Sequence, residues 1–559
     1  MTPFRYGVCA AIAVALAALV GCNDATGGGS GGSAVPAPYT GPTVQVTGRV
    51  TYTRVPSLPL PTGLDYGNQV EMPIRGAVVE IRDASNRLVS YGNTDASGNY
   101  TLRAAQNQGN TLRVKAALGS PLSPNTYVVD ADIADPNPPA SDPLRGKALF
   151  VLDSPLTVVA ADLTGQDVNA ASGISSTGVF SASRPSGPFA ILDVIYRAQA
   201  LIRSADPGAS FPMLLANWDT DLDGTDDASS FYRRSESALY IRGFEGVDLD
   251  EFDTHIVAHE WGHYFEHHFS RTDSLGGSHG DGDFLDDSIA FGEGFATGLA
   301  GMIMGDPVTH VGDPLYVENT ATGGFSFDME LDDDTVGTGP GGRPYEGYWS
   351  ENSVSEILYD IFDSAADAGD TVDLGFTPIY QAMRGGEIST PYFTSIFTFL
   401  NALEQVIGGR QAGIDALAAG ENIGARDDHE LTPGGRYLNI LANGTTYAGT
   451  IQATYANGDA ADFNKLFARV MIRAGLTASG RHRITVTPDP ITAPIELRLP
   501  NVAQKWLPLP GEPLIYDAFP MGNDLIFSVG LEAGFTGRTI PFTVTVEPMA
   551  SPIMPEGPG

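Results

Sequence analysis

Histidines 255, 259, 263 and 267 fall every fourth residue in the stretch HIVAHEWGHYFEHH, which runs from 255 to 268 and holds five of the chain's nine histidines. A four-residue step stacks side chains on one face of an α-helix, so adjacent pairs can grip one ion between them. At about 100° per residue over 252–269, Val257, Trp261, Tyr264 and Phe265 gather on the other side. The spacing therefore predicts a helix beginning near Asp250 or Asp253, with an apolar face for the core and a histidine stripe roughly opposite. Histidines that avoid the apolar face are poor candidates for ordinary core residues.

Two metal-binding patterns overlap here. His259-Glu260-Trp261-Gly262-His263 reads H-E-x-x-H, and His263-Tyr264-Phe265-Glu266-His267 reads the inverted H-x-x-E-H. Two imidazoles one turn apart can bind one Zn²⁺ at about 2.0–2.1 Å each. In the first pattern the adjoining glutamate lies beside the ion without binding it, placed to take a proton from water. A third ligand must come from downstream, and the first glutamate after Glu266 is Glu293, in the Gly/Ala-rich predicted helix AFGEGFATGLAGMIMG.

H-E-x-x-H followed by a helix carrying G-E-G-F-A resembles the gluzincin metallopeptidases over about forty-five residues. The resemblance implies a zincin-like α+β domain with His259, His263 and Glu293 as zinc ligands. It implies Glu260 as general base and proton shuttle, and a peptide or protein as substrate. The thirty-residue gap from His263 to Glu293 is longer than in compact thermolysin-like enzymes. Thr297 stands where those enzymes often have an aspartate, so Asp286 or Asp287 is a candidate partner for a ligand histidine. Gly262 would let a neighbouring segment approach α-helix backbone closely. Given the downstream Glu293, the H-E-x-x-H pair is preferred to the inverted one, leaving His255, His267 and His268 as flanking residues. Candidates to stabilise a transition state are Tyr345, Tyr348 and His279.

The N-terminus reads as a signal: Arg5, an apolar run from Val8 to Val20, then Leu19-Val20-Gly21-Cys22. The ending resembles a bacterial lipoprotein signal (residues 1–21), with Cys22 lipidated and the protein held in the cell envelope, at the outer membrane since Asn23 follows. The chain has two cysteines, Cys9 and Cys22, so removal of the signal leaves one and permits no internal disulfide. Residues 22–42 are Gly, Ser and Pro-rich and read as a tether. Residues 43–118 alternate like strands, and GAVVEIRD…TDASGNYTL resembles the carboxypeptidase regulatory-like β-sandwich. Residues 119–186, including the Pro/Asp-rich 123–143, read as linker and β-rich lead-in. Residues 187–432 are the expected zincin-like domain, opening on a helix at 187–205. Residues 433–559 read as a C-terminal β-sandwich. The expected fold class is multidomain, an α+β zincin-like domain flanked by two all-β sandwiches.

DTDLDGTDD resembles a calcium loop with Asp219, Asp221, Asp223 and Asp227 at positions 1, 3, 5 and 9. Ser230 stands at position 12 instead of glutamate, so Ca²⁺ and a plain acidic turn both remain open. The net charge of −36 disfavours nucleic acid and anionic membrane surfaces, leaving the lipid as the membrane contact. These features together point to a lipid-anchored zinc endopeptidase. The alternatives are an aminopeptidase, or a surface binding protein on an idle zincin scaffold.

Overall fold

The structure is a computed structural model. It describes residues 39–58, 63–133, 135–181, 183–222, 229–280, 282–305, 311–320, 323–330, 338–339, 342–364, 371–424, 427, 436–452, 462–520, 522–533 and 539–549. The signal, Cys22, and most of the 22–42 tether lie outside the described residues. Strand (about 36%) outweighs helix (about 24%), so the chain is a strand-rich, mixed α/β, multidomain protein.

The first strands are β1 (Thr43–Arg54), β2 (Val70–Pro73), β3 (Ala77–Asp83), β4 (Leu88–Asn93), β5 (Asn99–Ala105), β6 (Asn110–Ser120) and β7 (Ser123–Ile133). β1 pairs antiparallel with β5 and β2. Next come α1 (Gly187–Ala205), β8 (Leu214–Trp218), β9 (Phe231–Arg233), β10 (Ala238–Ile241), α2 (Thr254–Phe269) and α3 (Asp287–Met304). The hairpin β11 (Leu315–Thr320) and β12 (Gly323–Asp328) precedes α4 (Glu351–Phe362) and α5 (Ile396–Ile407).

One sheet runs β9-β10-β8-β7-β6-β3-β4. β6 and β7 form a hairpin closing at Ser120↔Ser123, and β7 pairs parallel with β8 from Thr126↔Leu214 to Asp130↔Trp218. The boundary expected at 118 thus falls inside β6, and the segment read as a linker from 123 is a strand as far as Ile133. The reason is burial: Thr126, Val128 and Val129 are fully buried between neighbouring strands. Strands on both sides of the expected boundary belong to one sheet. Their buried side chains join those of α1 to α5 in one core, among them Val46, Val114, Ile195, Trp261, Phe295 and Leu358. α1 touches β6 and β7 as well as α2 and α3, which sets the two later helices against the sheet layer.

α2 and α3 approach closely because Gly262 has no side chain: a Cβ there would lie 2.8 Å from Ala296 Cα. A Cβ on Gly294 would lie 2.5 Å from Val354 Cβ in α4. The small residues of α3 let it run between two helices, all but its last residue buried.

The C-terminal strands are β13 (Tyr437–Ala442), β14 (Thr446–Gln452), β15 (Arg469–Leu476), β16 (His482–Pro488), β17 (Ile495–Arg498), β18 (Leu514–Ala518), β19 (Asp524–Leu531) and β20 (Thr539–Pro548). They form two sheets, β13-β15-β19-β17 and β14-β20-β16-β18, the first extended by Lys505–Trp506. The two share a separate core around Ile472, Ile484, Phe527 and Val544. This unit is tied to the segment leading into α3. Lys465 Nζ bonds Asp283 at 2.5 Å and the Ser278 carbonyl at 3.2 Å, and Arg469 Nε donates to Asp286 Oδ2 at 2.9 Å.

Candidate metal centre

α2 begins at Thr254 with Asp253 as its N-cap residue, and Trp261, Tyr264 and Phe265 are buried to 1% or less. The opposite face borders a cleft of about 760 Å³ lined by His259, Glu260, His263, His279, Glu293 and Tyr316 among others. α2 supplies His259 and His263, and α3 supplies Glu293 across the Gly262 contact.

The donor atoms converge. His263 Nε2 lies 3.2 Å from His259 Nε2. Glu293 Oε2 lies 3.3 Å from His259 Nε2 and 3.1 Å from His263 Nε2. A tetrahedral ion with bonds of about 2.0–2.1 Å keeps its ligands roughly 3.3 Å apart, which is the spacing present. Glu293 Oε2 is buried and, among the described residues, accepts no hydrogen bond of good geometry from the nitrogens around it.

The other ring nitrogens are already engaged. His259 Nδ1 meets Thr297 Oγ1 at 3.0 Å and His263 Nδ1 meets Glu266 Oε2 at 3.2 Å. A carboxylate at Nδ1 orients the His263 ring and aims Nε2 at Glu293; burial opposes the charged form, but Glu293, Glu266 and Glu260 outweigh it and hold the imidazole well above its usual range. Thr297 and Glu266 are therefore the orienting residues. The sequence flagged position 297 only as a departure and Glu266 only as part of the inverted pattern. Both could have been found, since each lies three or four residues from a site residue on its own helix.

Burial pushes Glu260 up to about 8, against the lowering charge of His263. Burial also pushes the Glu293 carboxyl up, but His263 and His279 outweigh it and hold the group well below the usual range. Burial lowers His259 to about 4, which keeps its imidazole neutral. His279 Nε2 stands 3.5 Å from Glu293 Oε2 and 3.5 Å from Glu351 Oε2; these carboxylates overcome burial and carry it up to about 9. Glu351, the first residue of α4, carried no sequence signal.

Other expected residues lie elsewhere. His267 Nδ1 bonds the Tyr232 hydroxyl at 2.7 Å, so the inverted pair does not converge with Glu293. His255 Nε2 meets the Asp313 carbonyl at 3.1 Å. Asp286 caps α3 through Ser288 N and pairs with Arg469, and Asp287 pairs with Arg436, so neither orients a ligand histidine. Tyr348 packs on Trp349 and Phe397, and Tyr345 stacks on Phe284, both outside the cleft lining. Asp219 faces Asp130 and Asp132 of β7, and burial with the Asp130 charge raises its pKa. Asp221 is exposed, while Asp223 and Asp227 lie outside the described residues.

No protein-family model matches the chain, and no curated protein matches it. Among solved structures, the pre-peptidase C-terminal domain of a Bacillus anthracis collagenase matches at 11% identity and TM-score 0.14, covering 20% of this chain and 93% of that one. The Salmonella Typhimurium periplasmic inhibitor of g-type lysozyme, PliG, matches at 13% and 0.14, covering 20% and 98%. A Cyanothece PCC8801 9R-lipoxygenase matches at 11% and 0.14, covering 32% and 27%. Likenesses this small carry no argument about fold or activity.

Proposed function

We propose that the chain is a zinc metallopeptidase of gluzincin-like type whose ion is held by His259, His263 and Glu293. The supporting observation is that three donor atoms from α2 and α3 meet at 3.1–3.3 Å with their outer partners, Thr297 and Glu266, already in place. Two imidazoles and one carboxylate match the donor set of catalytic zinc sites, which leave a coordination position open. Bound zinc supplies a Lewis acid for the scissile carbonyl and acidifies water.

The protein's own residues then divide the work. Glu260 takes the proton of the attacking water and delivers it to the leaving amine. His279, held between Glu293 and Glu351, is the residue placed to donate toward the developing oxyanion. The cleft takes an extended stretch of peptide, and endopeptidase action is the form proposed. Export and lipidation at Cys22 belong to the same reading.

The test is zinc content and casein turnover on three variants. Glu260→Gln keeps about one zinc per chain and loses nearly all turnover. Glu293→Ala loses zinc and turnover together. His267→Ala keeps both. A folded wild type that takes up no zinc would sink the reading and favour a surface binding protein.

A further inference from the structure

The aspartates of the segment before α2, Asp248-Leu249-Asp250-Glu251-Phe252-Asp253, are interior. Asp248 is 3% exposed, Asp250 1% and Asp253 1%, and one carboxylate oxygen from each lies within 4.8 Å of the others. Each is anchored from a different side. Asp248 Oδ2 accepts from Arg242 Nη1 at 3.0 Å and its Oδ1 from Leu249 N at 3.0 Å. Asp250 Oδ2 accepts from the Ser230 hydroxyl at 2.5 Å. Asp253 accepts from Ser57 Oγ at 2.6 Å, from Asn319 N at 2.7 Å and from Asn319 Nδ2 at 3.1 Å.

Two oxygens are left over. Asp250 Oδ1 and Asn319 Oδ1 are both buried and accept no hydrogen bond among the described residues. A buried oxygen without a donor is unfavourable by roughly 1–3 kcal/mol, and more when charged. The charge is also unbalanced. Glu318 on β11 adds a fourth carboxylate that feels Asp250 and Asp253, while the guanidinium groups acting on the cluster are those of Arg242 and Arg54. Glu251 has its own buried partner in Arg184 at 2.5 Å.

We infer that Asp248, Asp250 and Asp253 form a second metal site, for a hard divalent cation of the calcium class, that fastens the start of α2 to β11. Carboxylate oxygens are the donors such a cation takes. A bound cation would give Asp250 Oδ1 its partner and offset the surplus negative charge. Its place is informative. Ser230 and Glu318 both border the cleft, and His259 lies less than two turns along α2 from Asp253. The ion would therefore brace the helix that carries two of the proposed zinc ligands while touching none of them. The inference does not depend on the peptidase reading.

The experiment is thermal unfolding of the full chain with and without calcium chloride, together with calorimetric titration. Calcium raises the wild-type midpoint by several degrees by binding the folded state. Asp250→Asn loses that shift while keeping the shape of the side chain. Asp248→Asn also loses the calcium shift, though it weakens the pair with Arg242, and it stands in should the first variant fail to fold. Asp221→Ala, in the exposed acidic turn, keeps the shift. A wild-type midpoint indifferent to calcium overturns the proposal. So does a shift that survives both Asn variants, or one that Asp221→Ala abolishes.

Discussion

Replacing Gly262 by alanine tests whether the α2–α3 contact sets the metal geometry. An alanine Cβ would lie 2.8 Å from Ala296 Cα and 2.9 Å from Ala296 Cβ, where ordinary contact is 3.4–4 Å. The helices must therefore separate by roughly 0.6–1.2 Å, and the obstacle is backbone, which cannot rotate away. Overpacking of this kind destabilises by about 1–3 kcal/mol. Alanine's better helix propensity returns roughly 0.5–1 kcal/mol, so the clash wins. The larger effect falls on the metal. His259 and His263 ride on α2 and Glu293 on α3, and metal–ligand distances tolerate only about 0.2 Å. The expected result is a lower unfolding midpoint and a zinc affinity reduced at least 10-fold in chelator competition. Gly420→Ala, at the end of the helix Ala412–Gly420 where an added Cβ meets nothing within 4 Å, is the matched control. A Gly262→Ala protein with wild-type midpoint and wild-type zinc affinity would refute the reasoning.

Thr297→Val keeps the shape of a buried side chain but removes the hydroxyl on His259 Nδ1; zinc affinity falls about 10–100-fold with the fold intact, read by chelator competition. Lys465→Met takes the cation from the buried carboxylate of Asp283, which keeps the Gly280 amide, and leaves the Ser278 carbonyl to Asn464 Nδ2, destabilising by about 3–5 kcal/mol in denaturant titration. Glu318 is pushed up to about 7 by burial, so in calcium-free buffer the folded protein keeps a proton that the unfolded chain releases near pH 4–5. Folded-state protons outnumber unfolded ones in that window, so stability falls as pH rises from about 4.5 to about 7. Glu318→Gln flattens this slope, and an unchanged slope in paired denaturant titrations at pH 5 and 8 would count against it.

What was legible in the sequence was local. The helix at 187–205 showed its period, Pro188 marked its first turn, and the structure has it at those residues. The Gly/Ala-rich run around Glu293 read as a closely packed helix, and Gly262 and Gly294 are where neighbours press in. β7 was hidden because Pro and Asp crowd the window after Ile133, and those residues dominate any average over 123–143. Its membership of the large sheet was hidden for a different reason. The parallel partner of Thr126 is Leu214, and nothing in either segment names the other. Parallel pairing across such a gap is decided by packing, here by α1 lying on β6 and β7.

The site divides along the same line. His259, Glu260 and His263 are one turn of one helix, so spacing alone places them. Glu293 needed a resemblance, and its partners His279 and Glu351 needed the fold. Asp286 misled because an acidic residue just before a ligand-bearing helix resembles an acceptor for a histidine. In the structure it serves as that helix's cap and as the partner of Arg469, far down the chain. The charge of −36 bore on partners, disfavouring nucleic acid and anionic membranes. Some of its acidic residues sit inside, Asp248, Asp250 and Asp253 each being 3% exposed or less. Composition counts charges without saying where they are. A buried carboxylate must have a proton, a cation or a hydrogen-bond donor, and Asp250 Oδ1 has no donor among the described residues. That obligation, which a surface aspartate does not carry, is what turns an acidic turn in the sequence into a candidate metal site in the fold.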